Sequence, residues 1–303
     1  MSSADRARGF LRHVHACNPP VTEPFVPWTI EKVTVGWMRP AAAARVLTTG
    51  DAFRESGDGL ALRSELRDFA TRSEVLADVV RQLADAGLVP AVMGEPYPVT
   101  PGGRDEAFCV IDRAAAALFG VRSFGQHVNG YVRRDDGIHM WVGRRARDRL
   151  LFPGALDNMV AGGLPHDLEL HENLVKECRE EAGVTEELVR GAIPVGAISY
   201  NRVTDRGFRP DVLYCYDMAL PDDFVPRNTD GEVEAFMLLP LSEVAGIVHD
   251  TDEFKLNCNL VVIDFLIRHG WLGPHSPDYL ALVQGLRRPL SGAEPARRAC
   301  RET

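Results

Sequence analysis

Between Gly162 and Val184 the chain reads GGLPHDLELHENLVKECREEAGV, and this window constrains the fold more than any other. It closes on Glu177, Glu180 and Glu181, followed by Gly183, the residue type that best ends a helix. An α-helix turns about 100° per residue, so positions i, i+3 and i+4 share one face. Carboxylates gathered on one face repel one another, by a few tenths of a kcal/mol per pair. A hard divalent cation removes that repulsion and commonly bridges to the phosphates of a substrate. The window therefore predicts a helix with a cation-binding face, set behind a Gly-Gly turn at Gly162-Gly163.

The rest of the chain must build a scaffold for that helix. At 303 residues it is long enough for one large or two modest domains. The alternating run Glu31–Met38 predicts a strand, and Pro40 opens a helix to about Leu47. A longer amphipathic helix is expected over Glu74–Ala86, with Ser73 as its N-cap and Gly87 as its stop. Gly94–Phe108, rich in Pro and Gly, reads as a loop. Beyond Gly120, His127–Arg134 and Gly137–Arg145 read as a hairpin. Strands follow at Ile193–Tyr200, Val212–Met218 and Val233–Leu239, and a helix at Leu260–His269. Hairpins mixed with interposed helices predict an α/β fold with a mixed sheet covered by helices. The expected division is a first unit over residues 1–118, a second over 119–285 and a disordered polar tail over 286–303.

Charge and composition exclude some partners. A formal net charge of −9 argues against a nucleic-acid partner, and no apolar run is long enough to span a bilayer. The six cysteines are scattered without zinc-like spacing, which indicates free thiols in a reducing compartment. The N-terminal residues lack the apolar region of a signal peptide, and Asp5 weighs against a transit peptide, so a cytoplasmic location is expected.

The window resembles the Nudix box, Gly-x5-Glu-x7-Arg-Glu-U-x-Glu-Glu-x-Gly-U with U aliphatic. Gly162 takes the first position, and Glu177, Cys178, Glu180, Glu181, Gly183 and Val184 match its end. Leu168 replaces the first Glu, and Lys176 replaces the Arg. Phe152–Gly163, Asp217–Leu241 and Phe254–Gly270 are similar to one Nudix branch, related to thiamine-pyrophosphokinase-associated proteins, and Val33–Leu47 resembles its extra N-terminal domain. The resemblance implies a Nudix α/β/α sandwich preceded by a small α+β domain.

It also implies a metal-dependent pyrophosphohydrolase acting on a small organic diphosphate, with Mg2+ or Mn2+ on Glu177, Glu180 and Glu181. Implied substrates are thiamin diphosphate and its oxo or oxy analogues; ADP-ribose and NADH are alternatives. A ligand sensor without catalysis is a second reading, motivated by Leu168. An isomerase using a Cys and a metal-binding His set ranks last. Glu232 and Glu234 stand two apart on a strand, hence on one face, as a further ligand or a base. Gly162 and Gly163 offer backbone to a phosphate, and Arg209 a cationic grip. Trp141, Tyr200 and Phe124 are candidates to stack on a substrate ring, and Asn129 and His127 to line the pocket, against the ordinary alternative of core packing. Cys178, at an aliphatic position, is expected to pack the helix on the sheet. For the N-terminal unit, substrate specificity, homodimerisation and neither of these all stay open.

Overall fold

The structure is a computed structural model that describes residues 9–290. It begins with α1 (Leu11–Cys17), then β1 (Val26–Ile30), β2 (Val33–Met38), α2 (Pro40–Leu47), β3 (Phe53–Ser56) and β4 (Gly59–Leu62). Next come α3 (Phe69–Asp85), the ribbon β5 (Pro96–Val99) and β6 (Cys109–Asp112), and α4 (Ala116–Phe119). The four strands β1–β4 form one sheet in the order β2-β1-β4-β3. The core of this N-terminal unit gathers Trp28, Phe53 and Phe119, and the Trp28 indole donates to the Phe119 carbonyl at 2.8 Å.

Three expectations shift here. Glu31 and Lys32 have φ of 51° and 70° and form the β1–β2 turn, so the strand starts at Val33. α3 starts five residues before Glu74, because Asp68, not Ser73, caps it by accepting the Thr71 N–H at 2.9 Å. Ser73 Oγ instead donates to the Phe69 carbonyl inside the helix. The expected loop at 94–108 contains β5. Its Pro96 and Pro98 alternate with Tyr97 and Val99, so the missing N–H groups lie on the edge turned away from β6.

The second sheet is built from β7 (Ser123–Arg134), β8 (Gly137–Arg145), β9 (Leu156–Asn158), β10 (Val160–Gly163), β11 (Ile193–Thr204), β12 (Gly207–Ala219) and β13 (Val233–Pro240). Its helices are α5 (Leu170–Ala182), α6 (Glu186–Val189), α7 (Leu241–Asp250), α8 (Cys258–Arg268) and α9 (Tyr279–Gly285). Strand order is β11-β12-β7-β8-β13, with β10 added to β7 and β9 to β8; β12 runs parallel to β7, so the sheet is mixed. Side chains alternate across it. Val128, Val132, Trp141 and Met218 face α5, whereas Tyr131, Met140, Val142 and Cys215 face α7 and α8. The result is an α/β/α sandwich, as expected. Among the described residues no helix is long and apolar enough to cross a membrane.

The described residues depart from the expected division at two places. Helix α1 packs with the second unit: Val14 and Cys17 join its core, and His13 Nε2 lies 2.7 Å from the Val248 carbonyl. Leu286 is buried, and the Ser199 N–H and Oγ donate to the carbonyls of Leu286 (3.1 Å) and Arg288 (2.6 Å). Residues 286–290 thus dock along β11 rather than beginning a disordered tail; residues 291–303 lie outside the described residues.

Candidate active site

Helix α5 carries the carboxylates. Gly183 ends it in the left-handed conformation at φ 63°. Glu180 and Glu181 therefore fall in its last turn, where the helix dipole is negative and an acid costs about 0.3–1 kcal/mol, and Glu177 lies one turn earlier. Folding alone does not favour that placement.

Each carboxylate has a different setting. Glu181 is buried, and its Oε2 accepts the Ala161 N–H at 2.9 Å. Burial pushes its carboxyl up to about 8; the Ala161 bond opposes this, and Asp157 and Glu177 add to it. Glu177 is also held above the ordinary carboxylate range, first by burial, with Glu180 and Glu232 adding to the effect. Lys176 Nζ lies 3.0 Å from both Glu177 and Glu180. An ammonium thus sits between two box carboxylates, making the single-point contacts available to Lys where Arg would fork.

Strand β10 closes the site from the other side. An added Cβ on Gly162 would fall 2.3 Å from Glu177 Oε2, so only glycine lets this strand and the carboxylate approach so closely. Gly163 points the opposite way, where a Cβ would meet the Tyr97 hydroxyl at 2.6 Å and Arg113 Nη1 at 3.1 Å.

The other anticipated residues divide. Glu232 precedes β13 and pairs with Arg149 at 2.9 Å, while its charge reaches Glu177. Glu234 pairs with Arg147 at 3.5 Å. Arg209 is held by Asp211 at 3.2 Å and lies beside Tyr97 and Arg113, on the Gly163 side and not among the box carboxylates. The stacking expectation is corrected for Trp141, buried between α5 and the sheet with its indole N–H unpartnered among the described residues. It is corrected equally for Tyr200, buried in the opposite core. Phe124 is buried against Tyr214. Asn129 is fully buried, donating to Asp217 at 3.1 Å and accepting from Asn158 at 3.0 Å. Cys178 packs in the core under α5, and burial pushes its thiol up to about 12.

No local pattern announces the buried polar group behind the box. His127 Nδ1, an Asp157 carboxylate oxygen and Cys258 Sγ lie within 4.8 Å of one another, the only such metal-compatible trio among the described residues. Their needs are already met. Asp157 receives Lys255 at 3.2 Å, Arg145 at 2.9 Å and the Cys258 thiol at 2.7 Å, while His127 pairs with Asn158 at 2.9 Å. Two cations on one carboxylate disfavour adding a third. Five cysteines are free and buried; Cys300 lies outside the described residues.

Residues 9–123 match a domain of unknown function, DUF4743. Nudix hydrolase 20, chloroplastic, of Arabidopsis thaliana is 42% identical over 290 residues, covering 92% of this chain and 78% of that protein. Nudix hydrolase 24, chloroplastic, of the same plant is 44% identical over 283 residues, again covering 92% and 78%. A solved structure, DR0079 from Deinococcus radiodurans, is 23% identical, covering 55% of this chain and 97% of that one with a TM-score of 0.41. The chain belongs to the Nudix hydrolase family, and it is a phosphoanhydride hydrolase with an additional N-terminal unit. The cytoplasmic expectation is corrected by the same relatives, which are chloroplastic. Free thiols indicate a reducing environment and do not say which one.

Proposed function

We propose that the chain hydrolyses a small organic diphosphate in a reaction dependent on Mg2+ or Mn2+, with thiamin diphosphate or its oxo and oxy analogues as substrate. The observation that carries this reading is the placement of Glu177, Glu180 and Glu181 at the unfavourable end of α5, against the glycine strand β10. The donor set suits such an ion: it is all oxygen, partly buried, and already draws an ammonium between two of its members. Glu177, Glu180 and Glu181 would hold the ion, which supplies charge neutralisation for a diphosphate and makes water more acidic.

The chain's own groups do the remaining work. Gly162 brings the β10 backbone against Glu177 and Gly163 brings it against Tyr97 and Arg113, so a phosphate held by the box would lie beside this strand. Arg209, with Arg113 beside it, offers positive charge to the far side of the substrate. Glu232, oriented by Arg149, takes the proton of the attacking water as the P–O–P bridge breaks to the monophosphate and inorganic phosphate. Incubation with thiamin diphosphate, oxythiamin diphosphate, ADP-ribose and NADH, each with Mg2+ or Mn2+, tests the assignment by chromatography of products. Release of thiamin monophosphate or its oxy analogue is expected. Turnover confined to ADP-ribose or NADH would replace the thiamin reading with a nucleotide one.

A further inference from the structure

The connection from β10 to α5, residues 164–169, is held from two directions. The second unit secures its ends. Asn173 Nδ2 donates to the Gly163 carbonyl at 2.9 Å, Gln126 Nε2 to the Leu170 carbonyl at 2.9 Å, and the Leu164 N–H to the Phe124 carbonyl at 3.0 Å. Its middle is held by the N-terminal unit. Arg104 Nη2 donates to the carbonyls of Pro165, His166 (3.4 Å) and Leu168 (2.8 Å). The His166 N–H donates to the Pro96 carbonyl at 2.7 Å, and its ring stacks on Phe69 at 5.4 Å.

Nothing in the window itself replaces these bonds. The N-cap of α5, Glu169, makes no side-chain capping bond, and Leu168 contributes only its carbonyl to the Arg104 contact. One guanidinium thus gathers the carbonyls of a turn that would otherwise depend on water. It does so at a cost, since Arg104 Nε is buried with no partner among the described residues. An unpaired buried donor costs about 1–3 kcal/mol, and such exceptions call for a reason. The reason lies at the two ends of the connection. It joins Gly162 to the helix bearing Glu177, and those two approach so closely that no Cβ fits between them. With the connection loosened, the Asn173–Gly163 and Glu181–Ala161 bonds would be left to hold β10 to α5 by themselves.

We propose that Arg104 is a positioning residue for the box: by clamping residues 165–168 it sets the spacing of Gly162 from Glu177, and the N-terminal unit is thereby part of the catalytic apparatus. The inference rests on the reading that Glu177, Glu180 and Glu181 hold a divalent cation. Arg104→Ala in the full chain is the test, read as kcat and KM on the diphosphate that turns over and as Mn2+ affinity without substrate, by electron paramagnetic resonance of free Mn2+. Loss of an outer support of a metal site weakens metal affinity or activity by about 10- to 100-fold, and that range is expected here, in kcat more than in KM. Millimolar guanidinium should restore part of the lost kcat in Arg104→Ala and leave the parent unchanged. Arg104→Lys, which keeps the charge on a shorter side chain without the Nη2 donor, should fall between the two.

Arg63→Ala, which breaks an exposed pairing with Asp51 and Glu65 in the same unit, should match the parent. Parental kcat and Mn2+ affinity in Arg104→Ala overturn the proposal, as does a loss that guanidinium does not restore. If Arg104→Ala does not fold, Arg104→Gln decides: parental values overturn the proposal, and a loss recovered by guanidinium supports it. Glu181→Gln separates the two layers. Should it also bind Mn2+ as the parent does, the cation reading itself has failed, not the role of Arg104.

Discussion

Replacing Gly162 by Ala isolates the contact on which the site is built. A Cβ there would fall 2.3 Å from Glu177 Oε2, 2.4 Å from Cδ and 2.7 Å from Cγ. Because Cγ is among the three, the whole side chain must swing, not merely its tip. The backbone imposes no obstacle, since Gly162 is not among the residues at positive φ. Forcing Glu177 off its rotamer costs about 0.5–1.5 kcal/mol. Losing its half-exposed pair with Lys176 adds about 0–1 kcal/mol. The melting temperature should therefore fall by only a few degrees, about 2–4 °C per kcal/mol for a chain of somewhat smaller size. Activity should fall far more, because displacing a reacting group by about 1 Å can cost about 100-fold. Thermal melting and initial rates on the same preparation give both numbers. A rate within about threefold of the parent would refute the idea that the Gly162–Glu177 approach sets the geometry of the reaction.

Glu181→Gln should lower kcat by at least about 100-fold, yet leave the metal-free protein as stable as the parent or more so, because burial already disfavours the charged form. Glu232→Gln should reduce kcat more than Glu234→Gln, since only Glu232 carries charge to Glu177; equal effects, measured side by side, would remove Glu232 as the base. His127, lowered to about 4 chiefly by burial and next by Lys255, stays neutral in the fold and charges in the unfolded chain near 6.5. Its contribution is therefore complete above about pH 6.5 and is lost as pH falls towards 4, roughly 3 kcal/mol at most, so denaturant midpoints of His127→Gln should drop less over that interval than those of the parent. Gly36→Ala would place a Cβ 2.2 Å from Trp28 Nε1 and 2.4 Å from the Phe119 carbonyl, breaking their bond, and urea melts should show a loss of about 2–4 kcal/mol.

What was legible in the sequence shares one property: its chemistry depends on spacing within a single element. The carboxylates could be placed on one helix face because i, i+3 and i+4 always meet, and Gly183 marked the helix end. Alternation likewise located β7, β8, β11, β12 and β13 to within a few residues. What escaped depends on partners far along the chain. The Asp157–Cys258 contact spans 101 residues, and nothing local at either residue announces it. Arg104 lies 64 residues before Leu168, in a stretch whose composition suggested only a loop. Trp141 and Tyr200 show the converse, since an aromatic in a strand reads the same whether its face meets a ligand or a helix. The two departures from the box pattern, Lys176 and Leu168, mark the boundary between these cases. Lys176 has its partners one and four residues away, so its role beside Glu177 and Glu180 could be inferred locally. The loop at Leu168 is held by a guanidinium from another unit, a contact that nothing local to Leu168 announces.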